Sequence, residues 1–383
     1  KKHFVESGKL EGRLFNKKLV DFDSDLYIRE NGELQGLKEM SNASNYELQI
    51  HYLDNFHKIK FKDFILNYEK NEESTKKKIL IIYVYYEIPN KTKNQTNLSF
   101  FIKYGLNENL WNNNYIINTL FIINGKITEV LIPNKRNMYV VENKNCSDWE
   151  GWYLGIKFIE HNFDRNIYDL YDYLCFINAS SFGPVIENDK NIHWLDPFIK
   201  KIESENSVVC CPCSNILPDY DLGGPGRRLV PHFTVLKINE EIINLLLYTK
   251  IYSFHNNTHN GWYNTIYGHK IDKIDAVLTG EYGLSKILLE NKYKISAILN
   301  GYDNNRIDFY QENIENVEKL KNTIFIKNIW RWEGNYASQP VLYNYCVNFY
   351  YKKLNISNEF LHYEFDYTKL TYNCKGQRLK SYN

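Results

Sequence analysis

The hydrophobic positions of the chain follow strand and helix periods in turn between residues 79 and 300. Residues 79–87 (ILIIYVYYE) are almost wholly apolar and β-branched, which is typical of a central parallel strand covered on both faces. Similar short apolar runs predict further strands at residues 118–125, 137–143, 173–178, 207–213 and 295–299. Helical periods occur at residues 97–106, 147–161, 239–251 and 279–295. This alternation predicts an α/β fold with a mostly parallel sheet flanked by helices.

The pattern changes at both ends of this stretch. Residues 1–78 contain short mixed segments and end in the charge run EKNEESTKKK, which indicates an N-terminal region and a solvated linker. Residues 79–320 form the predicted α/β domain. Residues 321–383 are rich in aromatic side chains and have fewer clear periods, so we treat them as a C-terminal extension.

Composition narrows the functional classes. The 383 residues are 43% hydrophobic and 24% charged, with a formal net charge of +1. This near-neutral balance argues against a broad electrostatic grip on nucleic acid or on an anionic membrane. No apolar run approaches the roughly 18 to 20 residues of a membrane span, and the first residues lack the apolar core of a signal peptide. A soluble, cytoplasmic protein is therefore expected.

The seven cysteines are an odd number scattered through a long chain, which favours free thiols over a disulfide framework. Residues 210–213 (CCPC) have the spacing of a redox motif, but such motifs begin a helix and the residues that follow cannot continue one. A zinc site would need a second cysteine pair, and none is near. The sequence therefore predicts buried thiols at the end of a strand.

Small polar residues follow the predicted strand at 173–178. The stretch YDYLCFINASSFGP carries apolar residues into Asn178, Ala179 and Ser180 and then stops at a Gly-Pro pair. Open α/β sheets bind ligands at the carboxyl ends of their strands, so these groups are candidates for ligand contact. A plain strand followed by an Asn-Ser turn would have the same sequence.

Five short motifs in order resemble the GT-A class of nucleotide-sugar glycosyltransferases, and more specifically rhamnan-synthesis-F-like chains of bacteria, some eukaryotes and large DNA viruses. They are YYE with NLSFF, VENKNCSDWEGW, FINASSFGP, PHF, and TGEYGLSKILLENKY with NRIDF. The resemblance covers residues 79–308 and rests on the order and spacing of the motifs.

The resemblance implies a nucleotide-sugar pocket. Tyr85, Tyr86 and Glu87 would lie at the end of the first strand, beside the base or the ribose. The alternative is a buried strand whose last polar residue caps it. Asn143 and Asp148 would hydrogen-bond the same part of the donor, although Asp148 is also placed to cap a helix.

The resemblance also raises the question of the metal. GT-A enzymes commonly hold Mg²⁺ or Mn²⁺ with an Asp-x-Asp pair, because hard cations prefer oxygen ligands. Here Asn178 and Ser180 offer neutral oxygens and donors. The divalent ion is therefore not expected to be required. Either cationic side chains or helix amino ends stabilise the leaving diphosphate, or the site binds a sugar nucleotide without turning it over.

The loop DLGGPGRRLVPHF contains candidates for that charge. Arg227 and Arg228 are suited to clamp phosphate oxygens, and His232 follows on the next segment. No lysine completes a phosphate-binding loop of the Walker type, which excludes an ATPase of that class. The alternatives are solvated loop arginines and a structural histidine.

Glu281 is the candidate general base, because inverting GT-A enzymes place a carboxylate at the start of a helix beneath the acceptor. The alternative is an ordinary first-turn glutamate that complements the helix dipole. Trp262, Arg306 and Asp308 flank this element and are candidates to line an acceptor pocket.

The predicted function is transfer of a hexose from a nucleotide diphosphate sugar to a hydroxyl of a glycan or glycoprotein, as in polysaccharide biosynthesis. The alternative is a non-catalytic glycan- or nucleotide-sugar-binding module that retains a degenerate GT-A fold. The donor base, the sugar, the acceptor, the anomeric outcome and the oligomeric state are left open.

Overall fold

The computed structural model describes residue 64 and residues 75–86, 93–108, 110, 114–125, 130–133, 135–143, 146–185, 192–217, 225–255, 260–300 and 324–327. The chain divides into two compact units, Lys1–Glu73 with Leu131–Tyr139 and Ser74–Val130 with Val140–Asn383. The elements below belong to the second unit, apart from the first two residues of β3. The predicted N-terminal region lies almost wholly outside the described residues.

The strands, in chain order, are β1 (Lys77–Tyr86), β2 (Tyr115–Asn124), β3 (Met138–Asn143), β4 (Tyr173–Asn178), β5 (Ser181–Phe182), β6 (Val209–Leu217), β7 (Gly226–Leu229), β8 (Phe233–Lys237), β9 (Lys250–His255), β10 (Asn260–Thr265), β11 (Ile295–Asn300) and β12 (Ile326–Lys327). The helices are α1 (Lys93–Phe100), α2 (Asp148–Phe163), α3 (Ile167–Leu170), α4 (Asp196–Glu205), α5 (Glu240–Tyr248), α6 (Lys273–Asp275) and α7 (Tyr282–Glu290). A π-helical turn follows α1 at Phe101–Gly105, and another joins α6 to α7 at Ala276–Glu281.

The central sheet has the order β11-β6-β8-β4-β1-β2-β3, with β7 also paired to β6. Strand β1 is parallel to β2 and β4, and β6 is parallel to β11. Strand β8 runs against both of its neighbours, β4 and β6. The chain is thus a mixed α/β protein with helices flanking a sheet of mixed direction, so the predicted α/β class is confirmed.

Strands β7 and β8 pair one after the other with the same edge of β6, and both run antiparallel to it. Leu229 lies opposite Ser214 and Leu236 lies opposite Val209, both in antiparallel pairing. The two strands are separated at residues 230–232, where Pro231 cannot donate a ladder hydrogen bond. The short interruption therefore lies beside the carboxyl end of β4.

Strand β1 forms the centre of the core. Its residues from Ile79 to Tyr85 are completely buried, as the sequence predicts for a strand covered on both faces. Helix α2 approaches this strand through two glycines one turn apart. A Cβ added to Gly151 would lie 2.7 Å from Val84, and one added to Gly155 would lie 2.8 Å from Ile82. The close approach places the first turn of α2 at the carboxyl end of β1.

The cysteines of the CCPC stretch lie within β6 and are buried. Burial raises the pKa of Cys213 to about 12 and the pKa of Cys210 well above its ordinary value. Every cysteine in the described part of the chain is a free thiol. The predicted burial of the thiols is confirmed, but their predicted position at the end of a strand is wrong, because β6 continues past Cys213 to Leu217.

The helix predicted to begin at residue 279 begins at Lys273 instead. Asp272 caps it, because its side chain accepts a hydrogen bond of 2.7 Å from the backbone nitrogen of Asp275. The chain then passes through the π-helical turn into α7, so Glu281 lies within a continuous helical run. The expected first-turn position of Glu281 is wrong, since the π-helical turn interrupts the 3.6-residue period by which the sequence locates the helix.

A short segment at Ile324–Lys327 joins the sheet domain from beyond the predicted boundary at residue 320. Strand β12 pairs antiparallel with β5, with Ile326 opposite Phe182 and Lys327 opposite Ser181. The ring of Phe325 stacks on Phe233 with a centroid distance of 3.9 Å. The first residues of the predicted extension are therefore part of this core. Among the described residues no helix has the length and hydrophobicity to cross a membrane.

Candidate functional site

The site lies where the strand order reverses. After β1 the chain continues to β2 on one side, whereas β4 pairs with the other side of β1. The carboxyl ends of β1 and β4 flank this switch point, the usual ligand position in open α/β sheets. Tyr86 ends β1 and Asn178 ends β4.

Asn178 organises the turn after β4 and contacts Asp148. Its Nδ2 donates to Oδ2 of Asp148 at 3.1 Å. Its Oδ1 accepts from the backbone nitrogen of Ser180 at 3.1 Å, from Oγ of Ser180 at 2.7 Å and from Oγ of Ser181 at 3.2 Å. The structure thus brings Asp148, Asn178 and Ser180 together, and one amide side chain orients the other two.

The Asp148 carboxyl has a perturbed titration. Burial raises its pKa to about 6, because removal of water disfavours the charged form, and the nearby charge of Glu281 raises it further. The hydrogen bond from Asn178 and the positive charge of Lys327 oppose this shift. The charges of Glu281 and Lys327 therefore both act on the Asp148 carboxyl at the switch point. Perturbed carboxyl groups at such an edge are typical of binding or catalytic sites.

A second polar group extends the edge toward β3. Nδ2 of Asn143 donates to Oδ1 of Asn124 at 3.2 Å, and Sγ of Cys146 donates to the same oxygen at 2.9 Å. Burial raises the pKa of Cys146 to about 11, so its thiol stays protonated near neutral pH and can donate this hydrogen bond. Asn124 is the residue of β2 that lies opposite Tyr86. Polar residues therefore end four neighbouring strands, β3, β2, β1 and β4.

The tyrosines at the end of β1 differ in position. Tyr86 is half-buried, and its backbone oxygen accepts from Nδ2 of Asn94 at 2.9 Å. Tyr85 is completely buried, so its predicted contact with the donor does not fit this structure. Successive strand residues project to opposite faces, and both faces of β1 are covered. Glu87 lies outside the described residues.

Arg227 and Arg228 are not directed at Asn178 by any described contact. Burial raises the pKa of Glu205, at the end of α4, but hydrogen bonds from Lys201 and Ser296 lower it further than that, and the charge of Arg227 makes a small contribution in the same direction. The guanidinium of Arg228 is buried and donates to the backbone oxygens of Arg227 at 3.0 Å and Pro225 at 3.3 Å. The Arg228 guanidinium therefore binds the backbone of its own loop. The predicted phosphate clamp did not anticipate these contacts.

His232 contributes to the site through its backbone. The imidazole is buried, and burial together with the charge of Lys327 lowers its pKa to about 3, so the ring is neutral at physiological pH. The backbone oxygen of His232 accepts from the backbone nitrogen of Asn178 at 3.2 Å and from Oγ of Ser181. The interruption between β7 and β8 thus supports the turn after β4.

The backbone of Gly280 lies close to the ring of Trp149, and this contact brings the neighbouring Glu281 near Asp148. A Cβ added to Gly280 would lie 2.6 Å from the ring of Trp149, so the π-helical turn packs directly on the residue after Asp148. Glu281 itself is half-buried. Single π-helical turns occur often at functional sites, where they redirect one side chain.

A buried polar network fixes the same turn from behind. Nζ of Lys270 donates to Oγ1 of Thr279 at 2.8 Å, and that hydroxyl donates to Oδ1 of Asp275 at 2.6 Å. Oδ2 of Asp275 accepts from Nδ2 of Asn264 at 2.8 Å. Burial lowers the pKa of Lys270 to about 8. Fully connected polar networks in a low-dielectric interior rigidify the segment that contains them.

The predicted acceptor residues lie largely outside the described part. The backbone of Trp262 lies in β10 opposite Ser253, while Arg306 and Asp308 lie in the undescribed range 301–323. Their role in acceptor binding stays a prediction.

Three site residues escape the sequence analysis. Asn124 ends a strand just as Asn178 does, so the same rule could have found it. Nδ2 of Asn97 donates to the backbone oxygen of Ala179 at 2.9 Å, a contact with no local signature. Lys327 reaches the site through the pairing of β12 with β5, which a local pattern does not reveal.

Few metal-ligating side chains lie together in the described part of the chain. The described residues contain no group of three or more His, Cys, Asp or Glu side chains placed to hold an ion. Near Asn178 the carboxylates are Asp148 and Glu281, and one oxygen of Asp148 already accepts from Asn178. Among the described residues, the carboxylates available to a divalent ion at this edge are therefore these two.

No protein-family model matches the chain, and no curated protein matches it either.

Proposed function

We propose that the chain is a glycosyltransferase that moves a hexose from a nucleotide diphosphate sugar to a hydroxyl of a glycan or glycoprotein. The observation that carries this proposal is the hydrogen bond of 3.1 Å between Asp148 and Asn178 at the switch point, with Glu281 close enough to act on the same carboxyl group. A donor-side carboxylate and an acceptor-side carboxylate would then share one cleft.

The nucleotide part of the proposal rests on the sheet edge. The order β3-β2-β1-β4 matches the first half of nucleotide-binding doubly wound sheets, which bind their ligand at this switch point. Asp148 is mostly ionised at pH 7 with a pKa of about 6, so it accepts hydrogen bonds from ribose hydroxyls. Asn143 and Tyr86 add an amide and a phenol along the same edge.

The transfer step rests on Glu281. In the proposed reaction its carboxylate takes the proton of the acceptor hydroxyl as that oxygen bonds to the anomeric carbon of the sugar. The contact between Gly280 and Trp149 holds the carboxylate beside the donor pocket, which gives the rigid positioning that a general base needs.

A thermal-shift panel of nucleotide sugars, followed by hydrolysis assays with the one that binds, tests the proposal. A donor present at 100 times its Kd should stabilise the protein by about 2.7 kcal/mol. Glu281→Gln should bind the donor normally but lose hydrolysis and transfer. The control Glu290→Gln, an exposed change at the end of α7, should bind the donor and keep both activities.

Two results would redirect the assignment. Donor binding with no hydrolysis or transfer by the unmodified protein would support the non-catalytic binding module. The absence of stabilisation by every nucleotide sugar would contradict the nucleotide pocket itself.

A further inference from the structure

Contacts from the backbone and from a side chain hold the segment Ile324–Lys327 beside the end of β4. The backbone nitrogen of Val185 donates to the backbone oxygen of Ile324 at 2.7 Å. The ring of Phe325 stacks on Phe233, and β12 pairs with β5. The last residue of this segment, Lys327, is therefore held in a defined position at the carboxyl edge of the sheet.

The pairing directs Lys327 toward the candidate site. Lys327 lies opposite Ser181, and directly opposed residues of an antiparallel pair project to the same face. Oγ of Ser181 donates to Oδ1 of Asn178 at 3.2 Å, and Asn178 in turn contacts Asp148. The lysine thus shares its face with the polar turn that ends β4.

Electrostatic effects agree with that position. The charge of Lys327 lowers the pKa of the Asp148 carboxyl, the His232 imidazole and the Cys213 thiol. These groups lie at the start of α2, before β8 and in β6. These effects agree with the backbone position of Lys327 opposite Ser181, beside the carboxyl end of β4.

We propose that Lys327 binds the diphosphate of the nucleotide donor and supplies the positive charge that a divalent cation supplies in an Asp-x-Asp site. The inference rests on the proposed function and names how this site holds its donor. Lysine is a compact cation with three hydrogen-bond donors, which suits phosphate oxygens. The predicted alternatives, Arg227 and Arg228, lie in β7, and Arg228 donates to backbone oxygens of its own loop.

The charge has a defined role in the transfer step. As the acceptor oxygen bonds to the anomeric carbon, the bond from that carbon to the diphosphate oxygen breaks, and its electron pair stays on the diphosphate. The acceptor proton passes to Glu281. Lys327 remains protonated and stabilises the negative charge that develops on the leaving diphosphate.

Calorimetric titration with inorganic pyrophosphate, in EDTA and again in Mn²⁺, tests the inference. We expect binding in EDTA that Lys327→Gln weakens about 10- to 100-fold, the loss typical of one charge-assisted hydrogen bond. Lys327→Arg should retain most of the affinity, because the charge stays. Lys237→Gln is the matched control, since Lys237 is exposed and lies opposite Tyr173 at the other end of β4.

The outcomes separate this inference from the proposed function. Absent pyrophosphate binding, binding that requires Mn²⁺, or equal binding by Lys327→Gln would overturn the role of Lys327, even if nucleotide sugars are still hydrolysed. Pyrophosphate binding that depends on Lys327, with no nucleotide sugar turned over, would support the inference and count against the transferase. Thermal unfolding of each variant, with recovery of affinity in Lys327→Arg, distinguishes a lost charge from a disturbed β12.

Discussion

The Asp148 carboxyl makes a prediction about stability that can be worked out from its surroundings. Its pKa is about 6 in the folded protein against an ordinary value of 3.8, mainly because burial disfavours the charged form. The difference is about 2 pKa units, and each unit corresponds to about 1.4 kcal/mol. Ionised Asp148 therefore destabilises the folded state by up to about 3 kcal/mol.

The sign of the effect follows from the direction of the shift. A carboxyl group with a raised folded-state pKa binds its proton more tightly in the folded state, so the destabilisation is complete above about pH 6 and disappears as the pH falls toward 4. Asp148→Asn removes the charge and keeps an oxygen that can accept from Nδ2 of Asn178. The variant should exceed the unmodified protein in unfolding free energy by up to about 3 kcal/mol at pH 7.5.

Urea unfolding at pH 4, 5, 6 and 7.5, followed by tryptophan fluorescence, measures this difference. Asp169→Asn, at an exposed position in α3, controls for the loss of one negative charge and should change stability by less than about 0.5 kcal/mol at every pH. The reasoning would be refuted if Asp148→Asn were no more stable at pH 7.5, or if its advantage did not vary with pH. The stabilised variant should also bind donor more weakly, because the ionised acceptor is lost.

Three further predictions concern catalysis and packing. Glu281→Gln should lower kcat for transfer about 10²- to 10⁴-fold with little change in donor Kd, and a normal rate would remove Glu281 from the mechanism. Gly151→Ala places a Cβ 2.7 Å from Val84 and should lower the unfolding free energy by about 1 to 3 kcal/mol, whereas an unchanged urea midpoint would show that α2 can move away from β1. Phe325→Ala removes the ring stacked on Phe233 and should cost about 3 to 5 kcal/mol in the same assay, so full stability in this variant would mean that the segment contributes little to the core.

The local pattern of hydrophobic and polar residues determined the strands and the helix that contain most of the site residues. The apolar run at 79–87 became β1, and the run at 173–178 became β4 with the same bounds. Helix α2 begins at Asp148, one residue into the predicted helix. These predictions succeed because element type and buried face follow from residue periodicity, which needs no knowledge of distant partners. The polar residues that end such strands were visible for the same reason.

Tertiary structure decided which of those groups meet. The antiparallel β8 between β4 and β6, the early start of the helix at Lys273 and the arrival of Lys327 beside Ser181 all depend on contacts between distant parts of the chain. Arg227 carries the charge expected for a phosphate clamp, yet strand pairing places it in β7, opposite Ile216 of β6. Periodicity reports how one segment is buried, whereas strand order and direction depend on how several segments cover one another, and that arrangement determines which charges share the sheet edge.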